Sequence, residues 1–455
     1  MSDKQNSRYW SARIATWRDL SKAEQASILQ RSAMSDQSEV KERTATIVAD
    51  VRARGDAALR DYTQRFDGYA PESFRVSAAE CEAGLNELGE SQRLALIRAA
   101  DQIKRFHAAE MPEPTRLEVS PGVVCQRVWR PLTRVGLYVP AGTAPLPSTV
   151  LMLAIPAQLA GCRERIICTP AARNGKIHPG ILAAARISGI TDIYKVGGAQ
   201  AIAALAYGTE SVPKVDKIFG PGNAYVTQAK AIVAQDPSGA ASDLPAGPSE
   251  VLVVMDESAN PVFAAADLLS QAEHGNDSHV VLVALSETQL RATIAEVDRQ
   301  LESLPRREIA LAALSKSAFI LAASTDEALQ IANQYAPEHL ILQLANAANY
   351  IAQVEHAGSV FIGPWSPEAV GDYASGTNHV LPTYGLARGH GGLSMESFMK
   401  SMTVQELSPR GLRDIGPVVD TLAVMEGLEA HARAVRVRLA ALAAGAEEQV
   451  TEETV

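Results

Sequence analysis

Short β-forming runs alternate with helical runs through the middle of this chain, and this alternation limits the folds open to it. RVGLYVP, RIICTP, DIYKVGG and KIFGP are each followed by a helical stretch, and the pattern resumes with EVLVVM, HVVLVAL, AFILAAS, HLILQL and SVFIGP. Such alternation is typical of βα units on parallel sheets. We therefore predict an α/β fold with two tandem doubly wound parallel sheets, from about 134 to 249 and from 250 to 364.

Helical sequence flanks the two predicted sheets. Helical spacing covers 39–66 and 91–109, and the short β-like passage RLEVSPGVVCQRVWRPL follows. After residue 371 comes a glycine-rich loop passage, and helical spacing returns at 416–442. We expect a helical N-terminal segment and a small helical C-terminal domain. The acidic end, EEQVTEETV, has the composition of a disordered tail.

Size and charge exclude several classes of function. The 455 residues are enough for two or more domains, and the net charge of −10 gives no basic footprint for nucleic acid or anionic membrane. The apolar run TVLMLAIPAQLAGC is too short for a membrane span and contains Pro156. The first residues lack the pattern of a signal peptide, so we expect a cytoplasmic protein. None of the four cysteines forms a CxxC pair, so a metal would need His, carboxylate or amide ligands.

The stretch SQAEHGNDSH, residues 270–279, is the most informative polar segment. Gln271 and His274 are three residues apart, so on a helix they share a face. Two such donors at a helix end suit a metal or a polar ligand. A polar helix terminus with Gly275 in the left-handed turn explains the same residues, and this segment alone leaves both interpretations open.

Three later clusters have the same polar character. Glu338 and His339 in APEHL can divide acid and base work, although an isolated Glu-His pair is more often a surface feature. Asp372 and His379 in GDYASGTNH lie among glycines that allow close approach of a ligand, but a polar turn explains them equally well. His431, on the last predicted helix, is by itself best explained by packing or solvation.

Glycine-rich turns follow three strands of the first predicted sheet, in YVPAGTAPLPS, VGGAQA and GPGNAYV. Such turns expose backbone N–H groups at helix N-termini, which suits the phosphates of a nucleotide. No turn matches GxGxxG with a following acidic residue, and ordinary α/β folds need glycine at these turns. The nucleotide interpretation is therefore suggestive only.

Together these segments resemble the histidinol dehydrogenase family from about Val40 to Leu442. The shared motifs occur in the family's order: RVGLYVPAGTAPLPSTVLM, VGGAQAIAALAYGT, GPGNAYVTQAK, DLPAGPSEVLV, SQAEHGNDS, APEHL, GDYASGTNHVLPT and MTVQELS. The resemblance implies oxidation of L-histidinol through L-histidinal to L-histidine, the last step of histidine biosynthesis, with two NAD+ reduced. It also implies a homodimer with one zinc ion per subunit and an active site shared across the interface.

The resemblance also implies a role for each matching residue. Glu338 and His339 match the catalytic pair. The metal ligands would be Gln271, His274, Asp372 and His431, the last from the other subunit. The substrate contacts would be Ser249, Gln271, His274, Glu338, His339, Asp372, His379, Glu426 and His431. The NAD contacts would be Tyr138, Gln200 and Asn223.

Domain boundaries follow from the same resemblance and the pattern of elements. We predict a tail and helical segment at 1–38, a catalytic domain from 39–133 with 250–385, a Rossmann-like NAD-binding domain at 134–249, a helical dimerisation segment at 386–445 and a disordered tail at 446–455. A paralogue that oxidises another small alcohol, such as a sulfonated diol, is the alternative function. An inactive scaffold is disfavoured because Glu338 and His339 are both present.

Overall fold

The computed structural model describes residues 14–31, 37–69, 71–141, 144–244 and 247–452, and the chain divides into two compact units. The larger unit comprises Met1–Glu110 and Leu132–Phe398, and the smaller comprises Met111–Pro131 and Met399–Val455. The ends of the predicted tail segments, 1–13 and 453–455, lie outside the described residues, as does 32–36.

In the described chain the strands are β1 (Ile14–Thr16), β2 (Thr115–Ser120), β3 (Val123–Pro131), β4 (Arg134–Tyr138), β5 (Glu164–Thr169), β6 (Asp192–Lys195), β7 (Lys217–Phe219), β8 (Ala241–Ser242), β9 (Glu250–Met255), β10 (His279–Ala284), β11 (Ala318–Leu321), β12 (His339–Gln343), β13 (Ser359–Ile362) and β14 (Met399–Leu407).

The α-helices of the same residues are α1 (Lys22–Ile28), α2 (Gln37–Arg54), α3 (Asp56–Phe66), α4 (Ala78–Glu87), α5 (Glu90–Ala109), α6 (Pro147–Ala160), α7 (Pro179–Ile187), α8 (Gly198–Tyr207), α9 (Ala224–Gln235), α10 (Pro261–Ala272), α11 (Glu287–Leu301), α12 (Arg307–Leu314), α13 (Thr325–Tyr335), α14 (Glu368–Tyr373), α15 (Pro409–Met425) and α16 (Glu429–Glu452). Across the described residues, none of the helices combines the length and apolarity that crossing a membrane requires.

The larger unit contains two parallel sheets, which confirms the predicted fold class. One has the strand order β6-β5-β4-β7-β8, and the other has the order β1-β11-β10-β9-β12-β13. Every pairing in both sheets is parallel. The edge strand β1 was not predicted, because three residues give too little pattern to read.

The second sheet is covered on both faces, and this explains its uninterrupted apolar strands. All six residues of β9 and all six of β10 are buried. Val251 and Val253 pack on one face in a core that includes α10 and α11, and Leu252 and Val254 pack on the other against α13. Alternating residues of a strand point to opposite faces, so burial on both sides requires an apolar residue at nearly every position.

Helix α2 packs against the layer of the first sheet, whereas Ile28 of α1 packs against the core of the six-stranded sheet. The predicted grouping of 39–133 with 250–385 stays a prediction. Ile47, Val48 and Val51 of α2 are buried in the same core as the alanines of α8. The apolar face of α2 therefore belongs to the five-stranded half of the larger unit. The continuous helix expected at 39–66 is interrupted at Gly55, whose φ of 54° lies in the left-handed region that glycine favours.

The smaller unit combines an antiparallel sheet with two helices. Its strand order is β14-β3-β2, and β14 pairs with β3 along its whole length, with Thr403 opposite Arg127. The prediction of a helical segment at 386–445 did not include this strand. α15 and α16 then pack together. α16 continues to Glu452, into the stretch whose composition predicted disorder.

Candidate functional site

The predicted catalytic pair lies where two central strands of the six-stranded sheet begin. His339 is the first residue of β12 and aligns with Val251 of the neighbouring β9, next to Glu250. His339 is 2% exposed and Glu338 is 6% exposed. The pair therefore occupies a buried position at the N-terminal edge of the sheet, a choice of edge that the sequence left open.

The hydrogen bonds of His339 define which ring nitrogen is available. Its Nδ1 lies 3.0 Å from the backbone oxygen of Glu250. A carbonyl oxygen can only accept, so Nδ1 carries the hydrogen. Nε2 is buried without a hydrogen-bond partner among the described residues and lies 3.6 Å from Oδ1 of Asp372. In the neutral ring the lone pair is therefore on Nε2, on the side of Asp372.

Burial and neighbouring charges shift the pKa of both members of the pair. Burial raises the pKa of Glu338 to about 8. Burial opposes the charged form of His339, but Glu338, Glu368 and Asp372 together raise its pKa to about 10. Oε2 of Glu338 accepts a hydrogen bond of 2.8 Å from the N–H of Glu250, which fixes the carboxyl group beside the imidazole. Perturbed groups of this kind concentrate at functional sites.

Three of the four predicted metal ligands converge beside this pair. Gln271 is fully buried in the last turn of α10, and its amide lies 3.0 Å from Nδ1 of His274. Asp372 comes from α14, and His274, Glu368 and Asp372 each offer a ligand atom within 4.8 Å of the others. With its amide nitrogen 2.6 Å from Glu368, Gln271 presents its oxygen to Nδ1 of His274.

The donor set fits a divalent cation such as zinc. Imidazole nitrogen and carboxylate oxygen are common zinc ligands, and an amide oxygen completes a mixed set. Burial, together with the neighbouring carboxylates of Asp372 and Glu338, raises the pKa of Glu368 to about 8. Several carboxyl groups are therefore close together where water solvates them poorly. A cation bound there would offset the cost of burying their charges.

Glu368 is a site residue that the sequence reasoning missed. It is 1% exposed, and Ser270 also approaches it, at 3.4 Å. It stands four residues before Asp372, so the two share a face of α14. That spacing was the available signal, but an acidic residue in the first turn of a helix is ordinarily explained by the helix dipole.

Two predicted substrate contacts also lie close to the cluster. The hydroxyl of Ser249 is 3.4 Å from Nδ1 of His274. His379 follows α14 on a loop, and its Nε2 is 3.5 Å from Oγ1 of Thr149. Burial lowers the pKa of His379, which favours the neutral ring.

Glu426 and His431 belong to the smaller unit. Glu426 caps the end of α15, His431 lies in the first turn of α16, and both are exposed. Neither residue belongs to the group His274, Glu368 and Asp372 that could hold a metal ion among the described residues.

A cavity of about 1220 Å³ links the cluster to the first sheet. Ser249 and His274 line the cavity. The three predicted cofactor residues also line it: Tyr138, Gln200 and Asn223. This volume exceeds the roughly 300–1,000 Å³ of common small-molecule pockets, so an extended ligand fits. Tyr138 is the last residue of β4, and Gln200 and Asn223 follow β6 and β7. The carboxyl ends of parallel strands are the usual place for ligands in such sheets.

Local hydrogen bonds fix this part of the wall. The Tyr138 hydroxyl accepts from the N–H of Gly198 at 3.0 Å, at the start of α8. Oδ1 of Asn223 accepts from the N–H groups of Tyr225 and Val226 and caps α9. Gln200 is 2% exposed. Two helix N-termini thus face the cavity, although the chain lacks GxGxxG.

Comparisons with known proteins show the family of this chain. The family described as histidinol dehydrogenase matches residues 29–439. A histidinol dehydrogenase of Vibrio parahaemolyticus is 51% identical over 427 residues, covering 94% of this chain and 98% of that protein. One from Xanthomonas euvesicatoria is 52% identical, covering 94% and 99%. The crystal structure of histidinol dehydrogenase from Elizabethkingia anophelis matches with a TM-score of 0.90 at 46% identity, covering 94% and 98%. The chain therefore belongs to the histidinol dehydrogenase family.

Proposed function

We propose that this chain oxidises L-histidinol through L-histidinal to L-histidine and reduces two molecules of NAD+, with zinc bound in the site. The observation that carries the proposal is the buried pair Glu338 and His339 beside Gln271, His274 and Asp372. The cavity that opens on this cluster has room for a dinucleotide. Family membership supports the choice of histidinol as substrate.

His339 is the proposed base of the first oxidation. A cation bound at Gln271, His274 and Asp372 would offset the carboxylate charges that raise the pKa of His339, and so would favour the neutral ring. The hydroxyl proton of the alcohol goes to Nε2 as hydride leaves the carbon for NAD+, giving aldehyde, NADH and a proton. The Glu250 carbonyl holds Nδ1–H, so the ring is oriented with Nε2 available. A zinc ion held by Gln271, His274, Asp372 and a second copy's His431 would anchor the amine and imidazole of the substrate.

Glu338 is the proposed base for the second oxidation. The aldehyde must add water to form a hydrated carbon before a second hydride can leave to the second NAD+, yielding the carboxylic acid. Glu338 can take a proton from that water, because burial raises its pKa into the range where gain and loss of a proton are both accessible. The N–H of Glu250 orients the carboxyl group.

We further propose that the active form is a homodimer in which His431 and Glu426 complete the partner's site. The smaller unit exposes large apolar side chains on α15: Val418 is 55% exposed, Leu422 53% and Met425 76%. These residues are four and three apart, so they form one stripe on the helix. An exposed apolar stripe is typical of an interaction surface.

The proposal includes a cytoplasmic location. All four cysteines are free, which suits a reducing compartment. The alternative of a paralogue for another small alcohol has no structural observation in its favour.

NADH formation on addition of L-histidinol tests the proposed function. We expect two NADH for each histidinol, loss of turnover after chelation and recovery when zinc is returned. A folded, zinc-loaded enzyme that does not oxidise histidinol would contradict the proposal.

A further inference from the structure

Glu250 holds both members of the catalytic pair through its backbone. Its N–H donates to Oε2 of Glu338 at 2.8 Å, and its carbonyl oxygen accepts from Nδ1 of His339 at 3.0 Å. Glu250 is the first residue of β9 and is 1% exposed. Any movement of this residue would therefore displace both catalytic side chains together.

The carboxylate of Glu250 is in turn fixed by Arg31. Nε of Arg31 donates to Oε1 at 2.5 Å, and Nη2 donates to Oε2 at 2.8 Å. The N–H of Tyr384 donates to Oε1 at 2.7 Å. A planar guanidinium that binds both carboxylate oxygens fixes the direction as well as the distance between the two groups.

Arg31 also holds the turn that leads into the pair. Nη2 donates to the carbonyl oxygens of Tyr335 and Ala336 at 2.9 and 3.3 Å, and the guanidinium lies 3.9 Å from the centre of the Tyr335 ring. Ala336 has a φ of 55°, in the left-handed region that residues with a Cβ rarely adopt. A strained residue persists only where its surroundings hold it, and this one stands two positions before Glu338.

We propose that Arg31 and Glu250 are positioning residues for the acid–base pair Glu338 and His339. The guanidinium joins the start of β9 to the turn before β12, so it sets the geometry of both catalytic side chains while touching neither. This inference rests on the proposed function, because it concerns how the pair is held for that chemistry.

The N-terminal segment thereby acquires a part in the reaction. Arg31 reaches Glu250 across 219 positions of sequence. It follows β1 and α1, and β1 pairs with β11 at the edge of the same sheet. The segment is held on the sheet by β1, and the guanidinium of Arg31 binds Glu250 at the start of β9.

Three variants test the positioning role. Arg31→Lys keeps the positive charge but cannot bind both carboxylate oxygens of Glu250 as the guanidinium does, and Arg31→Ala removes the guanidinium. Glu250→Gln keeps the backbone but weakens the ion pair. We expect kcat to fall about 10- to 100-fold with both histidinol and histidinal, since small displacements of catalytic groups carry such costs. KM, NAD+ affinity and zinc content should stay near wild-type values. Ethylguanidinium added to Arg31→Ala should restore part of kcat in a saturable way.

Arg165→Lys is the matched control for a merely structural loss. Arg165, near the start of β5 in the other sheet, donates to the carbonyl oxygens of Ser188 and Gly189 at 3.1 and 3.2 Å. We expect it to lower Tm without lowering kcat. The positioning role is wrong if folded, zinc-loaded Arg31→Lys keeps the wild-type kcat. It is also wrong if Arg165→Lys, with the same Tm as Arg31→Lys, loses as much kcat as Arg31→Lys does. Histidinol oxidation by the wild-type protein is measured first. If the wild type does not oxidise histidinol, the proposed function is wrong, and this result is distinct from a failure of the positioning role.

Discussion

His339 is held by one ring nitrogen and free at the other, and this asymmetry governs what its replacement does. Asparagine retains an N–H donor for the Glu250 carbonyl but lacks a base. We expect His339→Asn to bind histidinol with little change and to lose about 10²–10⁴-fold in hydride transfer, the usual contribution of a general base. Single-turnover NADH formation measures this. His356→Asn, at a half-exposed histidine, is the control. Normal hydride transfer in His339→Asn would refute its assignment as the base.

Glu338 offers a different test because its proposed role begins only at the aldehyde. Glu338→Gln keeps an oxygen that can accept from the Glu250 N–H but cannot take a proton from water. We expect oxidation of histidinal to slow much more than the first oxidation of histidinol. Transient NADH formation with each substrate separates the two steps. Equal losses in both would argue against activation of water by Glu338.

His279, which pairs with Glu250 on the neighbouring strand β9, gives a stability prediction. It is 2% exposed, and its Nδ1 lies 2.7 Å from the Tyr335 hydroxyl. Burial lowers its pKa to about 4 from an ordinary 6.5. The unfolded chain therefore gains this proton first as the pH falls, so stability is lost between about pH 6.5 and 4.

The expected loss from His279 is roughly 3 kcal/mol, from the shift between 6.5 and about 4. Urea unfolding of wild type and His279→Gln at several pH values measures it. The difference in unfolding free energy between the two proteins should change over that window. A constant difference from pH 7.5 to 4 would show that His279 does not carry this part of the acid sensitivity.

At the scale of elements, the loop between α14 and His379 connects a proposed metal ligand to a proposed substrate contact. Asn378 holds this loop in place, because its Nδ2 donates to the Met152 carbonyl oxygen at 2.7 Å. Gly376 has a φ of 112°, and a Cβ there would lie 2.8 Å from the carbonyl oxygen of Gln102. The loop can therefore keep this path only with glycine at that position.

Gly376→Ala should move this loop and with it His379. We expect KM for histidinol to rise about tenfold and stability to fall by about 1–3 kcal/mol from backbone strain and the clash. Gly363→Ala is the control, because Gly363 has a φ of 80° but no atom within 4 Å of the added Cβ. It should share the strain without the rise in KM. Equal KM values in the two variants would show that the loop path does not position substrate.

Elements with a local signal were readable from the sequence, whereas elements and contacts that depend on distant partners were not. The buried strands β9 and β10 can be predicted from their apolar runs. The Glu338–His339 pair lies in the short motif APEHL. By contrast, β14 is a mostly exposed strand recognisable only through its pairing with β3. Glu368 resembles an ordinary helix-start acid, and the link between Arg31 and Glu250 spans 219 positions. Such contacts exist only after the chain has folded.

At the scale of the whole molecule, the proposed site residues divide between the two units. Gln271, His274 and Asp372 converge in the larger unit, whereas His431 lies on an exposed helix of the smaller one. If a second copy supplies His431, each dimer has two sites and every site needs both chains. A closed two-fold dimer makes such exchange reciprocal.

Reciprocity can be tested with two variants that are each inactive. We expect His431→Ala to lose zinc on dialysis, by metal analysis, because one ligand is missing from every site. His274→Ala should be inactive for the same reason. A heterodimer of the two, isolated with two different affinity tags, has one site that lacks both histidines and one that is intact. It should therefore recover about half of wild-type activity. Homodimers of each variant, passed through the same purification, are the controls. An inactive heterodimer with zinc absent from both sites would show that His431 serves its own chain, and the shared site would have to be abandoned.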